Sequence, residues 1–319
     1  GTAITTGDDN VAVGKDALLS NTTGGNNVAV GSESLKVNTT GPNNVASGKC
    51  ALCSNTTGAQ NISMGTEALS KNTTAENNVA VGHRALCANI TTSNNVAVGK
   101  EALRNNVQGN NTAVGHFASA CNTSGDCNLA LGSEALCANQ TGGGQTAVGS
   151  EALKNTTGVQ NTGVGHRALC TNSSGACNVA VGRQALCSNT SANYNTAVGH
   201  SSMFKTTTGN SNTALGLFSM ACNTTGGSHV AIGYETLLSN TTASCNVAIG
   251  CKAMRANTTG ANNTGVGVCA LGANTTGSSN TAIGFSSMYE GTTTGGLNTM
   301  VGASSGRKMT SGEQNSGLG

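Results

Sequence analysis

The chain has 319 residues, with 15 basic and 13 acidic side chains, a formal net charge of +2, 46 glycines, one proline and seven aromatic residues. So few large side chains exclude an ordinary globular core. So little charge excludes the basic stripe that nucleic acid requires, and no uncharged apolar run approaches the roughly 20 residues that cross a bilayer, so neither nucleic acid nor membrane is expected as a partner.

A pentapeptide of the type Asn-Val-Ala-Val-Gly returns nineteen times, opening at Asn10, Asn27, Asn44, Asn61 and onward to Asn298 and Asn315. The full unit reads N-V-A-V-G-x-x-A-L-x-x-N-T-T-G-x-x, and its positions are numbered 1 to 17 from the opening Asn. The spacing slips to 16 or 18 only in the units that open at Asn95, Gln145 and Asn280, each time after position 9, which predicts a surface loop there. A unit this short buries no core alone and must stack on its neighbours. The expected fold is all-β, a parallel β-roll or β-solenoid of about 18 coils with a 17-residue repeat. It forms one repeat domain over 1–319, with a partial coil at 1–9, full coils over 10–314 and a half-coil at 315–319.

Within each unit the first predicted element is a strand at positions 1 to 5. Positions 2 and 4 carry aliphatic residues such as Val11 and Val13 or Val230 and Ile232, and position 3 is nearly always Ala. This alternation predicts two internal ladders at positions 2 and 4, stacked about 4.8 Å apart. Position 9 supplies a third, from Leu18 and Leu35 through Met254, Leu271 and Met288. Gly at position 5 predicts a sharp turn with positive φ. A second extended segment over positions 7 to 11 would complete a two-sided roll; the competing reading of that stretch is one turn of helix, too short to be stable outside its packing.

The recurring N-x-V-A-[IV]-G motif resembles the head repeat of trimeric autotransporter adhesins, and N-T-A-V-G arrays are similar to those of fibre-like proteins of viruses and bacteria. The resemblance covers nearly the whole chain and implies left-handed parallel β-rolls. The present unit is longer than the usual head repeat, and no neck, heptad stalk or anchor barrel is present in the sequence, so a trimer and an adhesive role do not follow from it.

Position 12 is Asn in fifteen units and opens an N-x-[ST] sequon in fourteen: Asn21, Asn38, Asn55, Asn72, Asn89, Asn122, Asn139, Asn155, Asn172, Asn189, Asn223, Asn240, Asn257 and Asn274. Three further sequons open at Asn61, Asn110 and Asn262. A column of sequons predicts covalent N-glycans along one edge. Asn and Thr also suit a tight turn for conformational reasons alone. The middle residue varies while position 14 stays Thr or Ser, as an acceptor site would require, although Thr208 and Ser311 keep the hydroxyl in units without the Asn.

Thirteen cysteines cluster by repeat position. Direct stacking favours a disulfide between Cys170 and Cys187, and nearly so between Cys121 and Cys137; the alternative bridges the Asn-Thr turn, joining Cys121 to Cys127 and Cys170 to Cys177. Cys50 and Cys53 form a lone C-x-x-C without a second pair or a nearby His, so no metal is expected. Sequons and cysteines together point to an oxidising, extracellular location.

His83, His116, His166 and His200 all fall at position 6, in coils that are never adjacent, and charged residues gather beside them at positions 6 and 7, which reads as a solvated edge. The Gly-rich pentapeptides lack the Lys-Ser or Lys-Thr of a phosphate loop. No catalytic constellation and no cofactor is expected.

The start of the chain enters the repeat at position 9 and the end stops at position 5, so residues 315–319 of one subunit are expected to meet residues 1–7 of the next in a composite coil. A contact of this kind propagates. The function expected is that of a structural subunit of an extracellular, N-glycosylated fibre, with itself as head-to-tail partner. The alternatives are an adhesin rod engaging a cell-surface or carbohydrate target and, more weakly, an ice-binding protein, whose Thr rows should lie on strands rather than at turns.

Overall fold

The structure is a computed structural model in which residues 6–290 and 294–319 are described. The fold is all-β, a parallel β-solenoid of about 18 coils with the 17-residue spacing. The coils fall into two compact units, Gly1–Gln160 and Asn161–Gly319. Among the described residues the first unit holds nine three-residue strands, from β1 (Val11–Val13) to β9 (Thr146–Val148), and the second ten, from β10 (Thr162–Val164) to β19 (Ser316–Leu318). Within a unit each strand pairs in parallel with its successor and without register shift: Val28 faces Val45, Ala29 faces Ala46 and Val30 faces Ser47.

The strand alternates as expected, but its two faces are exchanged. Position 3 is the buried one: Ala29, Ala46, Ala80, Ala180 and Ala248 have no exposed surface. Positions 2 and 4 point outward, half-exposed or exposed, as in Ile62, Met64, Leu129, Leu131 and Ile249. The predicted internal ladders at positions 2 and 4 are therefore corrected. The interior consists of Ala at positions 3 and 8 and Leu or Met at position 9, the last fully buried from Leu18 to Leu153 in the first unit and from Leu169 to Met288 in the second, with Ser119 interrupting the file.

Thickness explains the exchange. Where position 3 is Gly265, an added Cβ would lie 3.0 Å from Met254 Cγ and 3.2 Å from the carbonyl of Ala270, so the gap between strand and turn wall admits one methyl. Ser63 fills it with a hydroxyl that donates to Ala68 O at 2.8 Å. One coil trades volume across the gap: position 3 is Met300, and position 9 opposite it is Gly306, where a Cβ would lie 2.7 Å from Met300 Cγ. Two β-branched ladders cannot enter so shallow a core, so Val goes outside, where its strand preference is still met. Each buried Leu contributes about 1.5–3 kcal/mol relative to exposure.

The rest of the coil is neither a second strand nor a helical turn. Positions 5 to 11 are a run of turns, with left-handed backbone at position 7 (Glu33, φ 63°; Glu67, φ 55°) and again at position 9 (Leu35, φ 48°; Leu69, φ 48°). Position 17 is left-handed too, at Asn26, Asn43 and Asn77. Such conformations cost about 1 kcal/mol each for a non-glycine residue, and here every coil repeats them because the neighbouring coils use the amides they orient: positions 7 and 17 donate to the preceding coil, as Glu33 N does to Lys15 O and Asn43 N to Gly25 O, and position 9 donates to the next, as Leu35 N does to Ala51 O. Between the coils opening at Asn27 and Asn44, backbone bonds run from Val28 N to Asn44 O (2.9 Å), Gly48 N to Val30 O (2.8 Å), Cys50 N to Ser32 O (2.9 Å), Leu35 N to Ala51 O (3.1 Å), Thr39 N to Thr56 O (2.9 Å) and Gln60 N to Pro42 O (3.2 Å). Successive rungs are thus bonded around the perimeter, as stacking demands.

Gly at position 5 has φ between 126° and 140° in every complete coil, and a Cβ on Gly14, Gly82 or Gly199 would strike the carbonyl of the next coil's equivalent glycine. The spacing slip in the Gln145 unit falls between Thr156 and Gly158, on the turn side as expected. The extra residue of the Asn280 unit falls after Met288, in a stretch that includes 291–293, outside the described residues.

Candidate functional site

The unusual chemistry of each unit lies inside it. Asn at position 12 is fully buried, and its amide donates twice: Asn38 Nδ2 to the Gly41 carbonyl of its own coil at 2.9 Å and to Asn21 Oδ1 of the preceding coil at 2.9 Å. The chain of amides continues through Asn55 and Asn72. A parallel ladder runs at position 1, where Asn27 Oδ1 accepts from the backbone N–H of Asn44 (2.9 Å) and Asn27 Nδ2 donates to Gly41 O (3.0 Å). Both ladders converge on the position 15 carbonyl. Amide side chains are suited to this because each offers donor and acceptor together, so a buried column satisfies itself coil by coil.

His229 occupies position 1 of one coil and reproduces the pattern with a ring. Its Nε2 lies 2.6 Å from the Ala243 carbonyl, and Nδ1 accepts the Asn246 N–H at 3.1 Å, which assigns the neutral Nε2–H tautomer. Burial pushes the pKa of His229 below the usual histidine value, outweighing its backbone hydrogen bonds. A group whose folded pKa is depressed stabilises the fold fully above its unfolded value, near 6.5, and loses that contribution as pH falls toward the folded value, because the unfolded chain takes up the proton first. The melting temperature of the second unit is therefore expected to drop on acidification below about pH 6.5. His229→Asn should flatten that limb in a pH series followed by circular dichroism; an unchanged limb would assign it to other groups.

The ladder occupies the side-chain amides of the expected glycan column. Asn21, Asn38, Asn55, Asn72, Asn89, Asn122, Asn139, Asn172, Asn189, Asn223, Asn240, Asn257 and Asn274 all have no exposed surface. Their Nδ2 atoms, which would carry the sugar, point into the coil and are hydrogen-bonded there, as in Asn38 and Asn55. Asn155 differs. In its 16-residue unit Thr156 takes the buried site and Asn155 is exposed, one step out of phase. Of the other sequons, Asn61 is buried in the position 1 ladder, while Asn110 and Asn262 are exposed at position 17. The Thr column has structural work of its own: position 13 hydroxyls donate to the next coil's position 13 carbonyl, as Thr39 Oγ1 does to Thr56 O at 3.0 Å, and position 14 hydroxyls face out. Sequence reasoning missed the ladders because the sequon reading absorbed their signal, the return of an amide side chain at position 1 as regularly as at position 12.

A disulfide not among those expected joins Cys50 and Cys53, whose Cα atoms are 4.8 Å apart. Cys121, Cys127, Cys137 and Cys187 are thiols, so the Cys121–Cys137, Cys121–Cys127 and Cys170–Cys187 bridges are not formed. A hydrogen bond with Cys170, then burial, pushes the Cys187 thiol far up; burial, then the nearness of Cys121, raises Cys137. Both shifts favour the protonated thiol. Cys177 is half-buried at position 17. Left-handed residues at 7 and 9 explain the bridge that does form, because they fold positions 7 and 10 together. The same pair of positions makes the ion pairs Glu33–Lys36 (3.5 Å) and Glu101–Arg104 (2.6 Å) in other coils. The exposed Glu33–Lys36 pair is worth at most about 1 kcal/mol.

The outer surface carries three features. His83, His116 and His166 are exposed at the position 6 edge, and His200 packs edge-on to Phe218 of the next coil at 5.5 Å. In the second unit a recess of about 410 Å³ is lined by Lys252, Arg255, Cys269, Gly272, Tyr289 and Glu290. The outward strand face carries Val, Ile, Leu, Met, Thr and Ser at positions 2 and 4 of each unit, with no charge on it. Among the described residues no group of three or more His, Cys, Asp or Glu could hold a metal ion, and no helix is long and apolar enough to cross a membrane. No protein-family model and no curated protein matches the chain.

Proposed function

We propose that the protein is a structural subunit of an extracellular fibre, whose partner is further copies of itself. The observation that carries this reading is the uncharged outward strand face, two side chains wide, in each unit. Its position 4 row is aliphatic in nearly every coil and its position 2 row is Val, Ile, Leu, Thr or Ser, and an exposed apolar row of this kind marks an interaction site. A second copy shares its rung spacing of about 4.8 Å, so the ridges of one copy can seat in the grooves of another along the whole face. Stacked backbone bonds and amide ladders supply stiffness suited to a fibre. The Cys50–Cys53 disulfide is compatible with an oxidising compartment, and the motif's resemblance to fibre-like arrays supports the same reading.

Light scattering after gel filtration, with electron microscopy of the same sample, tests it. The wild-type chain is expected to associate with rising concentration and to form threads. Leu131→Lys combined with Ile249→Lys places one charge on the outward face of each unit. The pair should weaken association at least about tenfold, the equivalent of 1.4 kcal/mol, while the circular dichroism melt stays within a few degrees. Single molecules at high wild-type concentration would sink the fibre. If those single molecules shaped ice or bound a glycan array, the ice-binding or adhesin alternative would replace it.

A further inference from the structure

We propose that N-glycosylation of this chain is confined to three asparagines, Asn110, Asn155 and Asn262, selected by the phase of the coil rather than by the sequon. The inference rests on the extracellular reading above. An acceptor must present its Nδ2 to a transferase, together with the hydroxyl two residues on. The thirteen position 12 sequons and Asn61 fail because their amides are consumed inside the coil, as Asn55 Nδ2 is by Asn38 Oδ1 at 2.8 Å and Gly58 O at 2.9 Å.

The three remaining sequons arise by two different routes. Asn155 escapes through the deletion that moves Thr156 into the buried site, which leaves Asn155 and Thr157 both exposed. Asn110 and Asn262 stand at position 17, with left-handed φ of 61° and 57°, and are exposed; the hydroxyls they need, Thr112 and Thr264, occupy position 2 on the outward strand face. Other coils miss one half of this combination. Asn26, Asn43, Asn77 and Asn94 stand at position 17 but are followed two residues on by Val28, Val45, Val79 and Val96. Thr196 and Thr213 stand at position 2 but follow Tyr194 and Ser211.

The donor is a polyprenyl-diphosphate-linked oligosaccharide. The Asn amide nitrogen attacks the anomeric carbon, a carbon–nitrogen bond forms, the bond from that carbon to the diphosphate oxygen breaks, and the amide proton passes to a base of the transferase. The lipid diphosphate leaves, and no oxidant or reductant takes part.

Secretion of the full chain behind a cleavable signal from a host that performs this transfer, followed by intact mass and glycopeptide mapping before and after endoglycosidase, is the test. Glycans are expected on Asn110, Asn155 and Asn262 and on no other residue. Asn110→Gln, Asn155→Gln and Asn262→Gln together should remove the mass shift while leaving the melt unchanged. Val79→Thr should add a site at the exposed Asn77 by completing the missing half. A folded product with sugar on Asn38 or any other buried sequon overturns the proposal, as does bare protein or a Val79→Thr chain without sugar on Asn77. Self-association read on the same bare protein would leave the fibre standing, so the two readings fail separately.

Discussion

Replacing Gly82 by alanine is expected to destabilise the first unit by about 4 kcal/mol, combining about 1–3 kcal/mol of backbone strain with a similar amount of overpacking. Gly82 sits at φ 130°, which side-chain-bearing L residues rarely adopt, and its added Cβ would lie 2.6 Å from Gly99 O and 2.7 Å from Gly99 C of the next coil. Neither atom can move, since Gly99 N is itself bonded to Val81 O at 2.7 Å. Gly58→Ala is the informative comparison. It stands at position 15, where a Cβ also approaches a neighbouring carbonyl, that of Ala75, but Ala75, Ala192 and Ala243 already occupy this position in other coils. Its backbone can accept L-residue geometry, so a cost of about 1 kcal/mol is expected. Urea unfolding followed by circular dichroism gives both values, and hydrogen exchange should show the Gly82→Ala opening centred on the coils it joins. A Gly82→Ala protein within 1 kcal/mol of wild type would mean that the coil contact at position 5 is not as tight as described.

Asn55→Leu is expected to cost about 3 kcal/mol, although it exchanges a polar side chain for an apolar one of similar size in a fully buried site. The substitution removes the donor that Asn38 Oδ1 accepts at 2.8 Å, one of the donors to Gly58 O at 2.9 Å and the acceptor for Asn72 Nδ2 at 2.8 Å. Each buried group left without its partner costs about 1–3 kcal/mol, more than the added apolar burial returns. Asn55→Thr should cost less, because Thr206 fills the same position in another coil and its hydroxyl lies 3.4 Å from Asn223 Nδ2. The order Leu worse than Thr worse than wild type, read from unfolding midpoints, distinguishes a hydrogen-bonded ladder from simple space filling. The reverse order would show that the site values apolar volume over amide bonding.

Much of the coil was legible in its sequence. The repeat length, the strand at the pentapeptide, the tight glycine turn and the Leu file each followed from spacing, since period and residue type are local properties. The face of the strand was not. Alternation says that positions 2 and 4 share a side and position 3 takes the other; which side is inside depends on the width of the gap, known only once Met254 and the Ala270 carbonyl stand opposite Gly265. The left-handed residues at positions 7 and 9 were hidden for a related reason. Leu and Glu rarely adopt such backbone by themselves, and only the bonds offered by the coils on either side sustain them.

The candidate sites divide the same way. An N-x-T sequon is a local pattern, but an acceptor is a question of orientation. A one-residue shift at Asn155 turns outward an amide that in neighbouring coils turns inward. The cysteine columns behave alike: stacking in sequence suggested bridges between coils, whereas the turn geometry joined Cys50 to Cys53 within one. The sequence by itself determined that the chain is a stack of 17-residue parallel coils, because each unit's apolar residues can find a core only in its neighbours. Only the tertiary structure decided that Val lies outside and Asn inside, because a core one methyl deep admits Ala on the strand and rewards a side chain that bonds to its own copy one rung away.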